Sequence, residues 1–278
     1  MFQKSPRQIS RVNRVAGAIS ATVLLVGLSA CQTSGPDIAG DITGSLGDTA
    51  KPSEASADPR RDIETYRERV RANPKDVDAA LKYAKALRAT GQREQAVAVM
   101  EQAVLAQPSN RRLLAGYGRA LADNGNFQQA FEVLGRAHTP EDPDWRILSA
   151  QGAVLDQLDR HDEAREYYGN ALKIRPDDPS VLSNLGLSYL LSKDLPKAEE
   201  TLRRARKRAP DDMRVRTNLA VVVGLQDRQS EAENIMKADL PPDQAAANVA
   251  TLKKLLARKD ASRTDKDRIP VAANRNTD

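Results

Sequence analysis

The sequence predicts an all-α fold: a superhelical solenoid of stacked helical hairpins, with a disordered signal and tether on its N-terminal side and a disordered polar tail after it. The first observation is a fixed stride. Small residues recur every 34 positions at Ala96, Ala130, Ala164, Ala198 and Ala232. Two more series keep that stride: Ala84, Gly118, Gly152, Gly186 and Ala220, then Ala103, Ala137, Ala171 and Ala205. Self-similarity at a period of this size marks repeat architectures. The second observation is composition. Aromatic residues make up 4% of the chain and Ala is abundant, which suits helix-on-helix packing better than a sheet sandwich.

The N-terminal segment, 1–30, reads as an address. Lys4, Arg7, Arg11 and Arg14 form a positive start, and Val15 to Gly27 is an apolar run holding Val23, Leu24, Leu25 and Val26. That is the plan of a secretory signal peptide. The run is shorter than the roughly 20 residues that span a bilayer as a helix. Leu28-Ser29-Ala30-Cys31 resembles the bacterial lipobox, an aliphatic residue, two small ones and a cysteine. The resemblance implies cleavage between Ala30 and Cys31 and lipid attachment at Cys31. Gln32, rather than Asp, follows the cysteine and implies the outer membrane.

Residues 31–60 form a lipidated tether. Gly35-Pro36, Gly40, Gly44, Gly47 and Pro52 punctuate a polar stretch with no apolar period, which reads as disordered.

The solenoid occupies 61–258. Its five units are 77–110, 111–144, 145–178, 179–212 and 213–246. Unit four shows the two faces best: Leu182, Leu185, Gly186 and Tyr189 on one helix, then Ala198, Leu202 and Ala205 on the next, at helical spacings. Gly91 and Gly125 turn the first two hairpins, where a left-handed backbone suits glycine. Asp159, Lys193 and Asp227 stand at that position in units three to five. Pro108, Pro176 and Pro210 close second helices; in unit two the proline slot shifts to Pro140 and Pro143. Gly or Ala of a first helix is expected to meet Ala of the second. Leu87, Met100, Leu121, Leu134, Leu155, Tyr168, Leu202 and Met236 are expected to fill the space between hairpins. In unit five, Asp239 and Pro241-Pro242 stop the second helix early.

Ile63, Tyr66 and Val70 predict a helix docking ahead of unit one. Val249, Leu252, Leu255 and Leu256 predict a closing helix over 243–258. Residues 259–278 are a polar, disordered tail.

Composition excludes several function classes. The formal net charge is +5, but residues 1–30 hold four basic side chains and no acid, and removing those four leaves +1. The basic balance is therefore mostly targeting, and a nucleic-acid partner is not expected. One cysteine forms no internal disulfide and is too few for a structural zinc site. The two histidines, His138 and His161, lie in different hairpins without metal-ligand spacing and read as structural. No Ser, His and acid set and no phosphate loop is found. No enzyme, cofactor, metal or small-molecule substrate is expected. Arg203, Arg204, Arg206, Lys207 and Arg208 form a basic run with Glu199, Glu200, Asp211 and Asp212 close by, either a solvated outer face or a site for an acidic partner.

The 34-residue hairpin pattern resembles the tetratricopeptide repeat (TPR). The resemblance implies a scaffold for protein partners whose groove is lined by first-helix positions 2, 5, 9, 12 and 13. On those positions stand Lys85, Arg88, Arg112, Arg119 and Arg146 toward the N-terminal half, and Leu187, Leu190, Leu191, Val221 and Leu225 toward the C-terminal half. The groove is expected to be basic at one end and apolar at the other, with the apolar end either open or covered by the closing helix. Position 9 holds Lys85, Arg119, Ala153, Leu187 and Val221, so the asparagines of the two-carboxylate clamp are absent.

Asn218-Leu219-Ala220, Gly224-Leu225-Gln226, Glu231-Ala232-Glu233, Asp239-Leu240-Pro241-Pro242 and Ala246-Ala247-Asn248-Val249 resemble the end of the TadD-like lipoproteins of the tight-adherence (Flp pilus) system. That resemblance implies an outer-membrane anchor facing the periplasm, with the secretin or other pilus-assembly proteins as partners. The alternative is another outer-membrane TPR lipoprotein, such as a type IV pilus pilotin or a scaffold for cell-wall enzymes.

Overall fold

A computed structural model describes residues 59–238, 242–250 and 252–253. The signal segment with Ala30 and Cys31, the tether up to residue 58, Asp239 to Pro241, Leu255, Leu256 and the tail lie outside the described residues.

The described chain is a solenoid of antiparallel helical hairpins. Helix α1 (Pro59–Ala72) precedes α2 (Val77–Ala89), α3 (Arg93–Ala106), α4 (Arg111–Asp123), α5 (Phe127–Gly135), α6 (Trp145–Gln157), α7 (His161–Ile174), α8 (Pro179–Leu191), α9 (Leu195–Arg208), α10 (Met213–Leu225) and α11 (Gln229–Lys237). A closing helix follows over 242–250. The first helices, α2, α4, α6, α8 and α10, begin 34 residues apart, and so do the second helices α3, α5, α7, α9 and α11.

Local chemistry fixes each start. Asp76, Asn110, Asp144, Asp178 and Asp212 cap the five first helices, each side chain accepting from a backbone N–H of the first turn. Such a cap satisfies a donor that the helix itself leaves unpaired. Each hairpin turn is left-handed at one residue: Gly91 (φ 78°), Gly125 (83°), Asp159 (58°), Lys193 (63°) and Asp227 (63°). The next residue's N–H reaches back to the closing turn of the first helix, as Gln92 does to the Leu87 carbonyl at 2.8 Å and Arg160 to that of Leu155 at 3.0 Å. This is the Schellman closure. It holds even where Asp or Lys replaces glycine.

Packing inside the hairpin differs from the expectation. The first-helix glycine receives the large second-helix side chain of its own hairpin. A Cβ on Gly118 would lie 2.5 Å from Leu134 Cγ, one on Gly152 2.7 Å from Tyr168 Cε1, and one on Gly186 2.6 Å from Leu202 Cγ. Leu134, Tyr168 and Leu202 therefore fill notches within hairpins rather than gaps between them. Close approach of two helices needs a missing side chain on one of them, and glycine supplies it. The alanine series Ala96, Ala130, Ala164, Ala198 and Ala232 is fully buried.

Unit two departs from its neighbours. Helix α5 ends at Gly135, and residues 136–144 form a connector closed by the Thr139–Asp142 bridge, with Asp142 N donating to Thr139 O at 3.2 Å. The core runs from Ile63 and Val70 of α1 through Leu87, Leu113, Leu121 and Val154. It continues to Leu202, Leu219, Val223, Met236, Val249 and Leu252.

Candidate functional groove

The first helices carry the groove positions. Lys85 on α2 is exposed, and Arg119 on α4 is half-buried. Arg88 pairs with Asp123 across to α4, and Arg112 Nη2 lies 2.6 Å from Asp78 Oδ1 back on α2. Arg146 is exposed, its guanidinium 4.5 Å from the centre of the Trp145 ring. The basic half of the groove is thus partly self-neutralised. Asp78 and Asp123 occupy groove positions 2 and 13. They would have been found by tabulating acids as well as bases at those positions.

Leu187 is buried in the cluster of Ala150, Ala153 and Val154, and Leu190 packs against both that cluster and the C-terminal one. Val221 and Leu225 are half-buried, while Leu191 remains 39% exposed. Asn184 Nδ2 donates to Ser149 Oγ at 3.1 Å, and Asn218 Nδ2 to Ser183 Oγ at 3.1 Å, tying successive first helices together. Asn248 stands in the same relation to Met213, Nδ2 to Sδ 3.7 Å. The closing helix therefore adds to the row of first helices.

A polar knot lies in the floor of the groove and was not visible in the sequence. Asp156, groove position 12 of unit three, has a side chain only 1% exposed. Its carboxylate accepts from Ser188 Oγ at 2.8 Å, Tyr168 Oη at 2.9 Å and His161 Nδ1 at 2.9 Å. Burial pushes the Asp156 carboxyl above its usual range, against the lowering effect of these donors. Burial also pushes the Tyr168 hydroxyl well up, and the neighbouring carboxylate adds to it. His161 is thereby held within unit three, its Nε2 3.4 Å from Asp159 Oδ1, and His138 Nε2 lies 3.0 Å from Gln151 Oε1. Both histidines are tied into packing. Among the described residues no group of three or more His, Cys, Asp or Glu could hold a metal ion.

The basic run on α9 is largely spent on its neighbours. Arg203 Nη2 lies 2.7 Å from Glu199 and 2.6 Å from Glu231. Arg204 and Arg208 both hold Asp177, at 2.9 and 2.6 Å, and their hydrogen bonds keep that carboxyl below its ordinary range. Among the described residues no helix is long and apolar enough to cross a membrane.

Residues 42–255 match the family model of the cilia and flagella-associated protein 70 C-terminal domain, a TPR domain. The chain belongs to this TPR family. Three solved structures are similar in fold. PilW, a widely conserved type IV pilus biogenesis factor, has a TM-score of 0.58 at 19% identity, over 70% of this chain and 90% of its own. Cut9–Hcn1 of the APC/C scores 0.60 at 15% identity, over 75% and 41%. TTC0263, a thermophilic TPR protein of Thermus thermophilus, scores 0.52 at 22% identity, over 58% and 88%. No curated protein matches. As a TPR protein the chain is a scaffold for protein–protein interaction.

Proposed function

We propose that this TPR chain is a non-catalytic, outer-membrane-anchored periplasmic scaffold that docks pilus-assembly proteins, the secretin foremost, during Flp pilus assembly. The groove carries the reading. Five first helices present a partly neutralised basic half at Lys85, Arg119 and Arg146 and an aliphatic half at Leu190, Leu191, Val221 and Leu225. An apolar strip rimmed by polar side chains suits an amphipathic protein segment.

The anchor follows from Leu28-Ser29-Ala30-Cys31. Each buried acyl CH₂ contributes about 0.8 kcal/mol, so several chains on Cys31 hold stably. A linker of ~30 residues with the Gly, Ser and Pro content read there would have a root-mean-square reach of roughly 30 Å. The pilus role is supported by the TadD-like stretches of the last unit. A second reading, a type IV pilus pilotin, is favoured by the fold shared with PilW; a scaffold for cell-wall enzymes is a further variant.

Deletion of the gene, compared with a Cys31→Ser strain, tests the proposal by scoring secretin multimers and surface pili. Both are expected to fall in the deletion and to fall partly in Cys31→Ser. Normal secretin and pili in the deletion would remove the Flp assignment.

A further inference from the structure

We infer that the C-terminal ends of the second helices α7 and α9 form a face that rests on an anionic lipid surface, through Lys173, Ile174, Arg175, Arg204, Lys207 and Arg208; this rests on the chain being held at a membrane. The two helix ends make one patch, because Arg204 and Arg208 reach across to Asp177, at 2.9 and 2.6 Å, in the turn that follows Arg175. Asp178 and Asp212, close by, are turned into the caps of α8 and α10. Asp211 stays exposed beyond Pro210, which leaves the patch strongly positive. Arg175 and Lys207 are exposed, and neither has an ion-pair partner among the described residues. Lys173 Nζ lies 3.0 Å from the uncharged Asn170 Oδ1. Ile174, between Lys173 and Arg175, is 42% exposed.

The dipole of a helix favours cations at its C-terminus, but that does not account for the patch. Helices α3 and α5 carry no basic residue in their last turn, whereas α7 and α9 do. Nor does a dipole draw an aliphatic side chain into solvent. Exposed cations around an exposed isoleucine suit a lipid interface. Each Lys or Arg near anionic headgroups strengthens binding by about fivefold. An apolar side chain among them enters the boundary between headgroups and acyl chains. An acidic protein fits less well. A specific protein interface buries about 800 Å² on each partner around an apolar centre, and one isoleucine does not make such a centre. Because second helices carry the patch, contact with lipid leaves the row of first helices to protein partners.

The test uses the full chain with Cys31→Ser and an environment-sensitive fluorophore on Ile174→Cys, or on Leu105→Cys, which is 66% exposed on the second helix α3. Residues 1–30 are present in every variant, so attachment through them is common to all. Vesicles of roughly 30% phosphatidylglycerol in phosphatidylcholine are expected to raise emission at 174 at least about twofold and to leave 105 unchanged. Phosphatidylcholine alone is expected to do neither. Lys173→Gln, Arg175→Gln and Lys207→Gln together, at exposed side chains, are expected to raise the lipid needed for half the response at least about tenfold. Equal responses at 105 and 174 overturn the inference. So do equal responses to the two kinds of vesicle, or an unchanged lipid requirement in the triple variant with an unchanged thermal melt. A photo-crosslinker at Lys207 that captures an acidic protein, with no lipid response at 174, overturns it in favour of that protein. Mass spectrometry of wild-type Cys31 reads the anchor separately. Lipid on Cys31 without a response at 174 removes the patch alone; a selective response at 174 with Cys31 unmodified upholds the patch and removes the anchor alone.

Discussion

Tyr168 Oη donates to Asp156 Oδ2 at 2.9 Å, so the ring that fills the notch over Gly152 also satisfies the carboxylate in the groove floor. One side chain thereby couples the packing of hairpin three to the polar knot that Ser188 extends into hairpin four. Tyr168→Phe keeps the ring and removes the donor. It is expected to destabilise the fold by about 1–2 kcal/mol, because a buried carboxylate loses one of three partners. Urea unfolding reads this; an unchanged midpoint would show that the hydroxyl contributes nothing.

Two glycines should respond in opposite directions. Gly152→Ala forces a Cβ to 2.7 Å from the Tyr168 ring, while a Cβ on Gly169 meets nothing within 4 Å. Gly152→Ala is expected to cost about 1–3 kcal/mol through overpacking. Gly169→Ala, inside helix α7, is expected to gain about 0.5–1 kcal/mol from helix propensity. Thermal melts of the pair check the notch mechanism, and similar shifts for both would contradict it.

The pH dependence of the knot has a definite sign. Burial raises the Asp156 pKa in the folded state above its unfolded value. A raised pKa means the fold binds this proton more tightly than the unfolded chain does. The associated stability is present below the unfolded value and is lost as pH rises through the raised folded value. Relative to Asp156→Asn, the wild type is therefore expected to lose stability as pH rises from below the ordinary aspartate range through the raised folded value. Chemical denaturation at a series of pH values measures the difference, and a gap that widens in the wild type's favour toward neutrality would be the wrong sign.

Arg216 is 2% exposed; its Nη2 donates to the Pro210 carbonyl at 3.2 Å, while Nε and Nη1 have no hydrogen-bond partner. Units two, three and four carry Leu114, Leu148 and Leu182 at the same repeat position. Replacing a buried charge by an apolar residue of similar volume is commonly neutral or favourable. Arg216→Leu is expected to raise stability by about 1 kcal/mol, read as a higher melting temperature. A loss of more than that would mean the guanidinium has a role in the terminal unit that its neighbours do not share.

The stride was legible because helix pairs that approach closely leave a fixed trace of missing side chains: Gly118, Gly152 and Gly186 sit on one series and the buried alanines on another. The caps at Asp76, Asn110, Asp144, Asp178 and Asp212 follow the same stride and could have been read with it. The stride also located the turns of units three to five at Asp159, Lys193 and Asp227, and the structure places a left-handed residue at each although their side chains carry no sign of it. The early end of α5 was hidden, because the shifted Pro140 and Pro143 mark the connector but not Gly135. At the groove, the residues at each position were legible and their partners were not. Arg112–Asp78 and Arg88–Asp123 join neighbouring units 34 and 35 residues apart. The Asp156 knot was least visible, since its donors come from a turn-adjacent histidine, a second helix and the next unit, at separations of 5, 12 and 32 residues.

The central claim is that the row of first helices docks a protein. A photo-crosslinking residue at Leu191, compared in living cells with one at Lys207 on the second helix α9, tests it directly. The account predicts that Leu191 captures the secretin or another pilus-assembly protein and that Lys207 does not. Capture from Lys207 with none from Leu191 would place the contact on the opposite face and contradict it.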